Sequence, residues 1–343
     1  MTTHAATQTP ELQAFSKDIR SLELSPLWER TVSQKPGTPC VPHHWRWSEL
    51  EPLLLKSCEL IGKKDAERRV LMLENPTLRG QSFIAQTLFT GLQIILPGEV
   101  ATAHRHTPNA MRFVMKGQGA YTSVGGERSM MLPGDFIVTP NWSWHDHGNI
   151  GTEPVIWMDG LDSAFTKFFG ATFREDYPTE TQPLYRAEGT SAASFGAALL
   201  PVDFRPEDGP SPLLRYPYER TREALEHLVR NQPLHASHGA KLRYANPANG
   251  KYPFPTMAAF MQLLPKGFAG RPWRSTESTV FNVAEGRGVA TILGKTFDFG
   301  PHDIFVAPSW CDYAFVAHED CVIFSYTDRP AQEATGFLRE EQL

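Results

Sequence analysis

Residues 98–149 read GEVATAHRHTPNAMRFVMKGQGAYTSVGGERSMMLPGDFIVTPNWSWHDHGN, and this stretch decides the fold. His104 and His106 are two residues apart, so on a strand both side chains leave one face. Turn signals follow at Lys116-Gly117-Gln118-Gly119, Gly125-Gly126 and Pro133-Gly134-Asp135, between apolar, alternating runs. A meander of short strands can therefore bring His145 back beside the pair. The three imidazoles form a candidate metal site, with one ion per chain.

The same alternation extends outward. Residues 69–73 and 85–96 read as strands with Asn75-Pro76 as a break, and the run ends in PVIWMDGLD at 154–162. Phe89, Gly91 and Gln93 fall on one strand face and should line a pocket. Arg112 lies six residues after His106 and is expected to point inward with it. An inward arginine needs an anion, and a substrate carboxylate fits that need better than a structural ion pair. His147 shares the face of His145 and is expected to hold substrate or to serve as acid or base. A fourth metal ligand is its rival role.

The last third repeats the middle. Gln262-Leu263-Leu264-Pro265-Lys266-Gly267 echoes Gln93-Ile94-Ile95-Leu96-Pro97-Gly98, and the run 299–308 echoes 132–140. On these anchors Trp273 and Ser275 fall near the places of His104 and His106, and Tyr313 near that of His145. The second copy keeps strands and turns without the imidazoles, so strand structure alone does not demand histidine there.

The chain has 343 residues, enough for two domains, with Gly 26 and Pro 28 favouring a loop-rich, mainly all-β architecture. A net charge of -5 gives no basic footprint for nucleic acid or an anionic membrane. Cys40, Cys58, Cys311 and Cys321 form no CxxC pair and read as reduced thiols. The N-terminus has neither the basic region nor the apolar core of a signal peptide, so a cytoplasmic location is expected.

Apolar spacing predicts a helix over 10–23 and another from a Ser48 cap to about Ile61. His43 and His44 read as loop polar residues, and His227, His235 and His238 as surface or packing residues. Residues 163–217 are turn-rich and read as a connection partly ordered by Phe165, Phe168, Phe169 and Phe173; a helix runs from Pro217-Tyr218 to about Val229. The segments are a helical extension (1–66), a barrel with the metal site (67–162), a connection with a helix (163–250), a degenerate barrel (251–330) and a tail (331–343).

The central stretch resembles the two cupin motifs. Gly98, His104, His106 and Gly117 match the first; Gly134, Pro140, His145 and Asn149 match the second. The glycine expected two residues after Pro140 is Trp142, and the glutamate expected after the second histidine is replaced at Ala110 and Met111. Two such jelly rolls in tandem make a bicupin. SPLWER, AERRVLMLENP, LFTGLQIILPGE, HRHTPNAMRFV and PVIWMDGLD together resemble the gentisate 1,2-dioxygenase family, with the salicylate and 1-hydroxy-2-naphthoate dioxygenases as relatives.

The resemblance implies one Fe(II) per chain and opening of gentisate between the carboxyl-bearing and hydroxyl-bearing carbons with O2, giving maleylpyruvate. It also implies a homotetramer. Imidazole suits Fe(II), and an open site suits oxygen activation. Arg68 and Arg69 match an arginine-bearing stretch of the family, and one of them should meet a carboxylate. Asp159 matches an acidic residue and is expected to accept a hydrogen bond from the second ring hydroxyl, with a turn aspartate as its rival role. Rival functions are ring opening of salicylate, a substituted salicylate or 1-hydroxy-2-naphthoate, a non-oxygenase metal cupin, and a non-catalytic metal binder.

Overall fold

The computed structural model describes residues 9–30, 32–62, 68–205 and 209–343. Its contacts divide the chain into Met1–Gly37 and Thr38–Leu343. The first unit carries helix α1 (Pro10–Arg20), capped by the Thr9 hydroxyl, and a 3₁₀ turn at Leu27–Glu29. Ser16 and Arg20 both bond Glu29, and Phe15 stacks on Trp28. The helix ends three residues before the sequence expectation, because Glu23 takes a positive φ of 58°.

The second unit is mainly β. It begins with β1 (His43–Trp45) and helix α2 (Trp47–Leu60). The first barrel follows as β2 (Arg69–Met72), β3 (Phe89–Ile95), β4 (Val100–His106), β5 (Ala110–Lys116), β6 (Ala120–Val124), β7 (Glu127–Met130), β8 (Phe136–Thr139), β9 (His145–Asn149) and β10 (Val155–Leu161). The connection holds α3 (Ser163–Phe168), β11 (Arg174–Asp176), α4 (Thr190–Phe195), β12 (Arg215–Tyr216) and α5 (Tyr218–Asn231). The second barrel comprises β13 (Ala240–Arg243), β14 (Ala258–Leu264), β15 (Trp273–Ser275), β16 (Thr279–Glu285), β17 (Gly288–Ile292), β18 (Lys295–Phe299), β19 (Ile304–Ala307), β20 (Tyr313–Ala317) and β21 (Cys321–Thr327). Helix α6 (Arg329–Thr335) and β22 (Glu340–Gln342) end the chain.

Each barrel is a six-stranded sheet facing a five-stranded one: β12-β8-β5-β10-β3-β2 with β11-β4-β9-β6-β7, then β1-β19-β16-β21-β14-β13 with β18-β17-β20-β15-β22. Alternation sorts the side chains. Ile95, Val114, Ile137 and Trp157 fill the first barrel. Leu92, Phe113, Phe136 and Met158 leave the opposite face and pack with Met261, Leu263, Val280 and Phe324 of the second. Phe113 stacks on Phe324 with ring centroids 4.3 Å apart. The two six-stranded sheets thus share one core.

The leaders are exchanged between barrels. β1 precedes the first barrel yet pairs with β19 of the second; β12 precedes the second yet pairs with β8 of the first. One aspartate from each Pro-x-Asp turn pins each leader. Asp135 accepts from Tyr218 N at 2.9 Å and from Arg215 Nε at 2.6 Å. Asp303 accepts from Trp47 N at 2.7 Å and pairs with His44 Nε2 at 3.0 Å. His44 is therefore a structural partner on a strand, contrary to the loop assignment. Residues 38–62, assigned above to an extension, pack in the same unit as the barrels.

Of the phenylalanines expected to order the connection, Phe168 and Phe169 are 84% and 74% exposed, while Phe173 packs on Trp142 with ring centroids 4.7 Å apart. A buried polar side chain also anchors it: Gln182 bonds Gly126 N, Ser123 O and Trp144 O.

Candidate metal centre

His104 and His106 leave β4 on one face, and His104 pairs in register with His145 on β9. Each of the three rings offers a nitrogen, and these nitrogens lie within 4.8 Å of one another. All three Nδ1 atoms meet a backbone oxygen: His104 to Thr102 at 3.0 Å, His106 to Pro108 at 2.8 Å and His145 to Ser143 at 2.9 Å. A proton on Nδ1 satisfies each carbonyl and leaves the Nε2 lone pair for a ligand. His145 Nε2 is buried with no hydrogen-bond partner. Burial, then the Arg68 guanidinium, lowers His104 to about 2; burial lowers His106 to about 4, and burial followed by the neighbouring His104 holds His145 well below its ordinary value. The imidazoles are neutral at neutral pH, as metal ligands must be. Residues and geometry thus suit one metal ion.

The neighbouring cavity of about 160 Å³ is lined by Arg68, Phe89, Gln93, His104, His106, Arg112 and Asp159, among others. Arg112 points inward as expected, but it already has an anion. Its Nε lies 3.2 Å from Asp159 Oδ1, and Nη1 donates to Thr139 at 2.5 Å. The ion pair ranked second from sequence is therefore present. Asp159 sits within β10 and accepts from Trp157 Nε1 at 3.1 Å, so it is no turn residue. Burial raises its pKa, and Arg112 opposes that rise.

Arg68 reaches the site: its Nη2 lies 2.5 Å from His104 Nδ1 and 2.6 Å from Nε2. Arg69 does not. Adjacent strand residues face opposite ways, and Arg69 binds Glu99 at 2.7 Å and Ile61 O at 2.8 Å, away from the pocket. Its assignment as a substrate contact is corrected. Gly91 is not at the wall either. A Cβ there would stand 2.6 Å from Val70 Cγ1 and 3.2 Å from Phe89, so it lets those two side chains pack. His147 lies deeper, with its ring 5.7 Å from that of His145, fully buried, and with no partner on either nitrogen.

Val70, Ala110, Leu161 and Arg174 also line the cavity and were not anticipated. The first three lie two residues from Arg68, Arg112 and Asp159, so alternation could have found them. Arg174 comes from β11, whose pairing with β4 sets Arg174 opposite His106; no local signal marks it. Trp142 has a positive φ of 58°, the conformation for which the cupin pattern uses glycine. Trp142 N donates to His106 O at 2.8 Å, and the Arg105 guanidinium lies 4.3 Å over its ring. Trp310 repeats the arrangement in the second barrel, with φ 62° and Arg274 at 4.8 Å.

Residues 91–161 match the cupin domain. Over 337 residues the chain is 47% identical to gentisate 1,2-dioxygenase 1 of Aquipseudomonas alcaligenes, covering 97% of each chain. It is 34% identical to a 1-hydroxy-2-naphthoate 1,2-dioxygenase of a Nocardioides strain, covering 98% of this chain and 89% of that one. The crystal structure of the salicylate 1,2-dioxygenase of Pseudoaminobacter salicylatoxidans as adducts with gentisate superposes with a TM-score of 0.92 at 33% identity, covering 100% of this chain and 97% of that one. Two fused cupin barrels, one three-histidine site and similarity along nearly the whole chain place this protein in the gentisate 1,2-dioxygenase family.

Proposed function

We propose that the protein is an Fe(II)-dependent dioxygenase that opens the ring of gentisate between C1 and C2 with O2. The observation that carries this reading is the meeting of three neutral imidazoles with the guanidiniums of Arg68, Arg112 and Arg174 at one small cavity. His104, His106 and His145 would hold the iron. When bound, Fe(II) supplies the open coordination positions and electron-transfer chemistry that dioxygen activation requires.

The chain's own groups bind and orient the ring acid. Arg112 uses Nε toward Asp159 and Nη1 toward Thr139, and no described hydrogen bond occupies Nη2, which we assign to the ring carboxylate. Arg68, which lines the same cavity beside His104, would serve as a second anion contact once the imidazoles hold a dication. Gln93 and Asp159 face the ring hydroxyls. His147, buried behind His145 and held neutral, is the candidate hydrogen-bond partner for a group bound at the histidine site. A cavity of about 160 Å³ favours a one-ring acid over a two-ring naphthoate.

One iron per chain, a homotetramer and a cytoplasmic location belong to the same proposal. Four free cysteines fit a reducing compartment, and the exposed Phe168, Phe169 and Phe173 offer an apolar assembly surface. No described helix is long and apolar enough to cross a membrane. The experiment is oxygen uptake by the iron-loaded protein on a panel of gentisate, salicylate and 1-hydroxy-2-naphthoate. Gentisate is expected to be turned over with the highest kcat/KM.

A further inference from the structure

The second barrel lacks the imidazoles but keeps a cavity of about 410 Å³, walled by Phe260, Trp273 and His238. That volume lies in the range of small-ligand pockets, ~300–1,000 Å³. Lys241 reaches into it from the place that Val70 holds in the first barrel, since Lys241 pairs with Gln262 as Val70 pairs with Gln93. Its Nζ lies 4.6 Å over the Phe260 ring. The nearby carboxylates are engaged elsewhere: Arg329 binds Glu277 at 3.0 Å and also Glu340. The third cation at this cavity, Arg243, lies 4.7 Å over Tyr252 and donates to Gly250 O. Among the side chains that line the cavity, three cations, Lys241, Arg243 and Arg329, stand with one carboxylate, Glu340, while Arg329 also binds Glu277 and Glu333.

Beneath Lys241 lie polar groups without partners. Gln262 is 0% exposed, and neither its Nε2 nor its Oε1 has a hydrogen-bond partner. Ser325, paired with Phe260 and occupying the place of Asp159, is also 0% exposed with its Oγ unpartnered. Register partners share a sheet face, so Lys241, Phe260, Gln262 and Ser325 look the same way. Buried amides and hydroxyls are seldom left unpaired in folded proteins.

We propose that the second barrel contains a metal-free binding site for a small carboxylate with a flat, apolar body. The carboxylate meets Lys241 with the Gln262 amide and Ser325 hydroxyl, and the body lies among Phe260, Trp273 and His238. The site is separate from the histidine cavity and does not depend on turnover.

Equilibrium dialysis of the iron-loaded protein with labelled benzoate under anaerobic conditions tests this. Two equivalents per chain are expected. Arg112→Ala should remove the equivalent at the histidine cavity, and Lys241→Met should remove the other. Gln262→Glu, which gives Lys241 an internal carboxylate, should weaken the second equivalent at least about 10-fold and leave the first unchanged; it decides the matter should Lys241→Met fail to fold. One equivalent per chain, or two that ignore both second-barrel variants, would overturn the proposal and leave ordered water as the partner of Gln262.

Discussion

Arg112 and Asp159 form a buried ion pair that also faces the cavity, so removing one charge acts twice. Arg112→Ala should leave iron content intact and lower kcat/KM for gentisate by at least ~10-fold to 100-fold, the scale of one charge-assisted hydrogen bond. It should also destabilise the fold, by up to ~3–5 kcal/mol, because Asp159 loses its counter-charge. Adding Asp159→Asn should restore part of the melting temperature without restoring turnover. Calorimetry with oxygen uptake separates the two effects; recovery of both together would assign Arg112 a purely structural role. Lys241 gives a pH signature. Burial lowers its pKa from 10.5 to about 8. The unfolded chain then binds more protons between those values, so stability rises with pH across that window and the cost is fully present below about 8. Lys241→Met should therefore stabilise by roughly 1–3 kcal/mol at pH 7, with the gain fading as the pH nears 10.5. A gain that grows with pH would contradict this sign. At this scale the histidines and Arg112 were legible because even spacing fixes a strand face. The choice between Arg68 and Arg69 was not, since it depends on which face β2 turns inward.

At the scale of elements, the exchanged leaders β1–α2 and β12–α5 were invisible in the sequence. Each is local in the chain to one barrel and pairs with the other. A trace of them existed in the repeat itself: Asp135 and Asp303 both recur in the Pro-x-Asp turns and pin the two leaders alike. The repeat also carried the register correctly, since Trp273 pairs with Tyr313 just as His104 pairs with His145. The anchoring of the connection was partly legible: Phe173 does pack on Trp142, but no local signal marked Gln182, whose buried amide bonds the first barrel. Gln182→Ala should leave Gly126 N, Ser123 O and Trp144 O without their side-chain partner. Such losses cost about 1–3 kcal/mol for each group left unsatisfied. We expect faster proteolysis within 170–190 and weaker iron retention, because β11 lies beside the histidine strand β4. Unchanged proteolysis would show that β11 holds itself in place.

For the whole molecule, the core shared by the two six-stranded sheets makes the barrels one cooperative body. Phe324→Ala removes the ring stacked on Phe113, and such truncations cost ~3–5 kcal/mol. Thermal unfolding should remain one transition at lower temperature, and iron should be lost in that same transition; two separated transitions would mean that the barrels fold independently. The general bicupin plan was readable from the tandem turns, whereas this mutual dependence needed the sheet order. The central claim is that the three imidazoles of the first barrel equip the chain to oxygenate a hydroxylated ring acid. Its most direct test is oxygen uptake with gentisate by iron-loaded wild type and His145→Ala, each with its bound iron determined. One O2 consumed per gentisate at one iron per chain, with both turnover and iron lost in His145→Ala, is the predicted result. Gentisate-dependent uptake undiminished in His145→Ala, or none in wild type carrying its iron, would contradict it.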